Sequence, residues 1–116
     1  MARNYPEESL QIACVQWFRL QYPNSIIFHV PNGGKRNPRE AARLKRAGTL
    51  AGIPDLFVAE PCNNMSGLFI EMKSPKGKLT DSQKDMSDRL LNFGYAFEVC
   101  RSIEGFVSIV REYING

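Results

Sequence analysis

Two strand-like segments separated by a short turn constrain the fold of this chain more than any other feature. Residues 55–59 and 68–73 are rich in Leu, Phe, Val, Ile and Met, which favour the strands of a buried sheet. Residues 61–67, between them, consist mostly of Pro, Asn, Ser and Gly and predict a turn. If the two segments pair across this turn, the start of the first strand lies opposite the end of the second.

Helical and strand-like patterns alternate along the whole chain. The predicted strands are residues 26–30, 55–59, 68–73 and 95–100, and the predicted helices begin at Pro6, Asn37, Thr80 and Ser102. In the first helix, Leu10, Ala13, Cys14 and Trp17 follow the i, i+3, i+4, i+7 spacing that marks a core-facing side. The order α β α β β α β α predicts an α/β fold, with one central mixed β-sheet flanked by helices.

Composition is typical of a soluble globular protein. The 116 residues are 43% hydrophobic and 23% charged, which suits one domain spanning residues 1–116. No apolar run approaches the roughly 20 residues of a membrane span, and the N-terminal residues contain no signal-peptide core. Cys14, Cys62 and Cys100 are widely spaced and odd in number, which argues against a disulfide framework or a zinc site. We therefore expect a cytoplasmic protein with reduced thiols.

Positive charge is concentrated in one segment, although the net charge is only +3. Residues 35–46 contain six basic side chains and a single acidic one, Glu40, while acidic residues outnumber basic ones elsewhere. The basic residues are Lys35, Arg36, Arg39, Arg43, Lys45 and Arg46. A basic patch on a nearly neutral body indicates a polyanionic partner such as nucleic acid.

Three of these arginines share one face of the predicted second helix. Arg39, Arg43 and Arg46 follow the i, i+4, i+7 spacing. Arginine forks bind phosphate oxygens and position a nucleic-acid backbone without reading its bases. A solvated helix face that binds nothing is the alternative interpretation.

A carboxylate and a lysine on the strand at residues 68–73 suggest chemistry. Because side chains alternate along a strand, Glu71 and Lys73 point to the same side. Asp55, at the start of the partner strand, would lie close to both. Two carboxylates suit Mg²⁺ or Mn²⁺, and a lysine beside them suits phosphodiester hydrolysis. The alternative is a surface Glu–Lys pair with an unrelated Asp in a turn.

Several short motifs occur together in one order along the chain. Asp55, preceded by Pro54, is followed by the run Glu71-Met72-Lys73. The accompanying features are Glu7 or Glu8 ahead of Leu10-Gln11, residues 31–34, residues 51–56, and Leu79-Thr80 with Gln83. Together they resemble the VRR-NUC (virus-type replication–repair nuclease) branch of the PD-(D/E)xK nucleases, which implies a restriction-endonuclease-like core.

The resemblance also implies roles for individual residues. Asp55 and Glu71 would bind the metal, with the main-chain carbonyl of Met72 as a third ligand, and Lys73 would be the catalytic lysine. Gln83 would face the active site. Its alternative role is the capping-box partner of Thr80.

An acidic residue on the first helix would complete the metal site, directly or through water. Glu7 and Glu8 are the candidates, and Glu7 is preferred because it lies four residues before Gln11, the usual offset in the family. The alternative for both is stabilisation of the first helical turn. Asn32, followed by two glycines, would bind DNA if the backbone there approaches a phosphate, and a plain turn is the alternative.

The function implied is a metal-dependent DNA endonuclease using Mg²⁺ or Mn²⁺, which leaves a 3′-hydroxyl and a 5′-phosphate. Stand-alone family members resemble Holliday-junction resolvases, so the expected protein is a homodimer that cleaves branched DNA in replication, repair or recombination. The lack of attached domains suggests a phage protein acting in the bacterial cytoplasm. The alternatives are a nuclease for duplex, flap or single-stranded DNA, and a DNA-binding module without catalysis.

Overall fold

A computed structural model describes residues 6–31 and 37–116 of the chain. The elements in chain order are α1 (Pro6–Gln21), β1 (Ile27–His29), α2 (Pro38–Arg46), β2 (Leu56–Val58), β3 (Leu68–Met72), α3 (Asp81–Asn92), β4 (Ala96–Cys100) and α4 (Ile103–Asn115). The predicted order is confirmed. Asn37, Thr80 and Ser102 cap the N-termini of α2, α3 and α4, because each side chain accepts a hydrogen bond from a backbone N–H in the first turn.

The four strands form one mixed sheet in the order β1-β2-β3-β4. β1 and β2 are antiparallel, as are β2 and β3, whereas β3 and β4 run parallel. The parallel pair requires a crossover, and α3 supplies it. The predicted α/β fold with a central mixed sheet flanked by helices is therefore confirmed.

One face of the sheet carries the main hydrophobic core, against α1 and α4. Leu68, Ile70 and Met72 of β3 point to this face. The other core residues are Cys14, Phe18, Ile27, Leu56, Val58, Cys100, Phe106, Val110 and Tyr113.

The core-facing side of α1 differs in part from the prediction. Cys14 and Phe18 are fully buried, Leu10 and Trp17 pack at the edge of the core, and Ala13 is exposed. The buried side follows the i, i+4 row from Leu10 through Cys14 to Phe18, because α1 lies against both α4 and β1. Including Ala13 in this side was wrong.

The opposite face of the sheet is less completely covered. Phe57 and Phe69 stack with ring centroids 4.4 Å apart, and Tyr95 contacts both. Phe28, on β1, remains 44% exposed beside an apolar groove of about 290 Å³. Within the described ranges, every helix is too short or too polar to cross a lipid bilayer.

Candidate active site

The β2–β3 hairpin brings the two predicted carboxylates together. Leu56 pairs with Ile70, so Asp55 and Glu71 are the next residues in register. Asp55 Oδ2 accepts a hydrogen bond of 2.7 Å from the backbone N–H of Met72. The predicted pairing is confirmed, and this hydrogen bond ties the Asp55 side chain to the end of β3.

The turn before Asp55 is held in place by the first turn of α3. Gly52 has a φ of +82°, which disfavours residues with a Cβ. A Cβ added there would lie 2.4 Å from the carbonyl oxygen of Ser82 and 3.1 Å from the backbone nitrogen of Gln83. Glycine is therefore required both for its conformation and for this close approach. The contact fixes the position of Asp55 relative to α3.

Glu71 is a buried carboxylate with an unsatisfied oxygen. Its side chain is 3% exposed, and Oε1 alone among the buried side-chain polar atoms of the described residues has no hydrogen-bond partner. Burial raises the pKa of Glu71 to about 9, and the neighbouring Asp55 and Glu7 carboxylates act in the same direction, while Lys73 opposes them. A cation bound beside Glu71 would lower this pKa, because a nearby positive charge favours the carboxylate.

Gln83 contacts the site and caps its own helix at the same time. Its Nε2 donates a 3.3 Å hydrogen bond to Glu71 Oε2, and its Oε1 accepts one of 2.9 Å from the Thr80 N–H. Its backbone N–H donates to Thr80 Oγ1 at 3.2 Å, which completes the capping box. The two interpretations of Gln83 are therefore not alternatives. The cap orients the amide toward Glu71.

Glu7 reaches the same end of the sheet from α1. Its Oε1 accepts a 3.2 Å hydrogen bond from the backbone N–H of Ser74, directly after Lys73. Glu7 and Glu8 are both exposed on α1, and the contact with Ser74 is made by Glu7. The structure thus places Glu7 at the site, in contact with the chain beside the carboxylate pair.

His29, at the end of β1, contacts the main chain of Asp55. Its Nδ1 is 2.9 Å from the main-chain oxygen of Asp55, which also accepts a hydrogen bond from the Val30 N–H at 2.8 Å. The Gln11 amide nitrogen is 3.3 Å from the same ring nitrogen. A ring that donates to this carbonyl steadies the backbone of Asp55.

The donor set suits a hard divalent cation. Asp55 and Glu71 offer carboxylate oxygens, and the unpartnered Glu71 Oε1 is the buried group that a cation would satisfy. Mg²⁺ is commonly bound by one or two carboxylates and several waters, and Met72 lies next to both residues. No group of three or more His, Cys, Asp or Glu side chains arranged to hold a metal occurs among residues 6–31 and 37–116. Any further ligands would be water, the backbone or the substrate.

The predicted DNA-binding residues fall into two groups. Arg39, Arg43 and Arg46 are exposed on α2, which buries none of its residues. Asn32, Lys35 and Arg36 lie outside the described residues.

Arg101 is a residue at the site that the sequence analysis missed. It follows β4, and its guanidinium donates to the main-chain oxygens of Ser74 and Gly77 at 2.7 and 2.6 Å. No sequence spacing signals this contact, since the partners lie 24 and 27 residues away.

Comparisons with known proteins agree with this geometry. The family model for the VRR-NUC domain matches residues 5–104. A solved structure described as a VRR_NUC domain protein superposes with a TM-score of 0.79 at 27% sequence identity. The match covers 98% of this chain and 92% of that one. The comparison with curated proteins found no match.

The family model and the solved structure show that this mixed sheet, with two carboxylates at the end of its central hairpin, is a nuclease-type α/β fold. The chain belongs to the VRR-NUC family.

Proposed function

We propose that the protein is a metal-dependent endonuclease that hydrolyses phosphodiester bonds in branched DNA, as a Holliday-junction resolvase does. The observation that carries the proposal is the buried, unpartnered Oε1 of Glu71 beside Asp55. Leaving a buried carboxylate oxygen unsatisfied costs free energy, and a divalent cation from solution would offset that cost. Glu71 and Asp55 would hold the cation, together with the main-chain carbonyl of Met72.

Each residue of the site would have its own role in the reaction. When bound, Mg²⁺ or Mn²⁺ acts as a Lewis acid on the scissile phosphate and lowers the pKa of an attacking water. Lys73 would orient that water and offset the negative charge that develops on the phosphate oxygens. Gln83 holds Glu71 in place, and Glu7 holds the backbone of Ser74.

The reaction is an in-line displacement. The water oxygen forms a bond to phosphorus, and the bond from phosphorus to O3′ breaks. The attacking water gives up a proton to solvent and the departing O3′ takes one up from solvent, so the products are a 3′-hydroxyl and a 5′-phosphate.

The substrate preference rests on the exposed arginines of α2 and on the resemblance of stand-alone family members to resolvases. Arg39, Arg43 and Arg46 would bind phosphates and so recognise the shape of the nucleic acid. Asn32, Lys35 and Arg36, which precede α2 in sequence, would extend this contact. A four-way junction offers two equivalent strands, which a twofold homodimer matches. The expected location is the cytoplasm, in a bacterial host if a phage encodes the protein.

Cleavage assays test the proposal directly. End-labelled four-way junction and linear duplex of matched sequence are incubated with Mg²⁺, Mn²⁺ or EDTA, beside the Asp55→Asn variant. Symmetric, metal-dependent nicks in the junction alone, absent in the variant, are the expected result. Cleavage of duplex, flap or single-stranded DNA as well would retain the nuclease and reject junction specificity.

Two further outcomes decide between classes of function. Tight DNA binding without any cleavage would replace the enzyme with a non-catalytic DNA-binding module. Light scattering that shows a monomer at micromolar concentration would contradict the resolvase-like dimer.

A further inference from the structure

The Arg101 guanidinium forms hydrogen bonds across the turn at residues 74–77, which follows Lys73. Arg101 Nη1 donates to the main-chain oxygens of Ser74 and Gly77 at 2.7 and 2.6 Å, and Pro75 O lies 3.5 Å away. The Gly77 N–H donates to Ser74 O at 3.1 Å, so the two carbonyls belong to one tight turn. A single nitrogen of Arg101 therefore bridges both ends of the turn.

The same turn begins directly after Lys73 and lies beside its side chain. The Lys73 N–H donates to the carbonyl oxygen of Cys100 at 2.9 Å, one residue before Arg101. A Cβ placed on Gly77 would lie 3.5 Å from Lys73 Cδ, so the Lys73 side chain passes beside Gly77 with room for about one methyl group between them. The end of β4 thus holds Lys73 through its backbone and through the turn beside its side chain.

We propose that Arg101 is a positioning residue that fixes Lys73 by holding the turn at residues 74–77. The inference rests on the proposed function, since it assigns a role in the same reaction. Lysine is a flexible side chain, and its amine must be held at a defined place to act on a phosphate. Hydrogen bonds from a charged donor are stronger than neutral ones, so Arg101 restricts the turn more firmly than a neutral donor would.

The first experiment follows the turn without metal or DNA. Amide hydrogen exchange is measured by NMR in EDTA for Arg101→Ala, for Arg101→Lys and for Arg89→Ala, which removes an exposed arginine from α3. Exchange at Gly77 is expected to rise at least about tenfold in Arg101→Ala, with partial restoration in Arg101→Lys, because an ammonium also donates to carbonyls. Exchange at Gly77 equal to that of the unsubstituted protein would overturn the proposal.

The second experiment follows cleavage. The single-turnover rate is expected to fall about 10- to 100-fold in Arg101→Ala, by analogy with residues that orient catalytic ligands. The dissociation constant for DNA in EDTA is expected to stay within about twofold of that of Arg89→Ala. A large loss of DNA affinity, with an unchanged rate of cleavage once the DNA is bound, would assign Arg101 to DNA binding and overturn the proposal.

A double-mutant cycle shows whether Arg101 acts through Lys73. In a Lys73→Ala background, adding Arg101→Ala is expected to change the remaining rate by less than about twofold. A full additional loss would mean that Arg101 acts independently of Lys73, against the proposal. If Arg101→Ala fails to fold, Arg101→Lys takes its place in the cycle.

A parent protein that cleaves no DNA overturns the proposed function. A parent that cleaves DNA normally, beside an Arg101→Ala variant that cleaves it equally fast, overturns only this inference.

Discussion

The end of the β2–β3 hairpin and the helix α2 are built in opposite ways. At the hairpin end, Glu71 is buried, and Asp55 and Gln83 are held by hydrogen bonds to neighbouring elements. α2 buries no residue, and its arginines point to solvent. Hydrolysis requires groups held to a fraction of an ångström, whereas contact with a DNA backbone requires charge and reach. The difference agrees with the proposal that the hairpin carries the chemistry and that α2 contacts DNA.

Removing one charge at the hairpin end is expected to have the largest effect. Asp55→Asn leaves the size of the side chain unchanged but weakens cation binding, so the cleavage rate should fall by about 10³-fold or more. Asp88→Asn, an exposed position on α3, is the matched control and should retain full activity. The measurement is single-turnover cleavage at one fixed metal concentration that saturates the parent protein. If Asp55→Asn keeps its rate, the assigned site is wrong.

Alanine substitutions at Gly52 and Gly48 distinguish the free-energy cost of a positive φ from the cost of a steric clash. Gly52→Ala places a Cβ against Ser82 at a φ of +82°, and we expect a loss of about 2–4 kcal/mol of unfolding free energy. Gly48, which follows α2, has a φ of +114° but open space around a Cβ, so Gly48→Ala should lose only about 1–2 kcal/mol. Denaturant unfolding measures both. Equal losses would show that the contact between the turn and α3 contributes nothing.

The sequence predicts which residues meet at the end of the β2–β3 hairpin better than it predicts the contacts that hold them there. Period-two alternation and antiparallel register suffice to bring Asp55 beside Glu71, because both are local properties of two strands joined by a short turn. The sequence marks the turn before Asp55, but its packing on Ser82 depends on how α3 crosses the sheet. The contact of Arg101 with Ser74 likewise depends on the parallel pairing of β3 and β4, which no local pattern encodes.

Removing the arginines of α2 tests the other half of the comparison. Arg39→Ala, Arg43→Ala and Arg46→Ala combined should weaken DNA binding roughly 10²-fold at moderate salt and reduce the slope of log K against log salt by about 3. The melting temperature should stay constant, because these side chains are exposed and α2 buries no residue. Filter binding across a salt series is the measurement, with Arg89→Ala as the control. An unchanged slope would mean that α2 is a solvated helix that does not contact DNA.

The smallest expected effect concerns stability: replacing Glu71, the proposed metal-binding carboxylate, should stabilise the metal-free protein. The pKa of Glu71 is raised from 4.5 to about 9 in the folded state. Between these pH values the folded chain binds a proton that the unfolded chain has released, so this group's contribution to stability falls as pH rises from 4.5 toward 9.

Glu71→Gln removes that dependence, because an amide stays neutral at every pH. In EDTA at pH 8 we expect the variant to be more stable than the parent by about 1–2 kcal/mol, and at pH 4 by almost nothing. Urea unfolding at the two pH values measures the difference, with the exposed Glu8→Gln as the control. Saturating Mg²⁺ should reverse the order, because a cation stabilises only the protein that retains the carboxylate. A parent that is already as stable as the variant at pH 8 in EDTA would mean that Glu71 is well solvated, and the argument for a cation at the hairpin end would lose its basis.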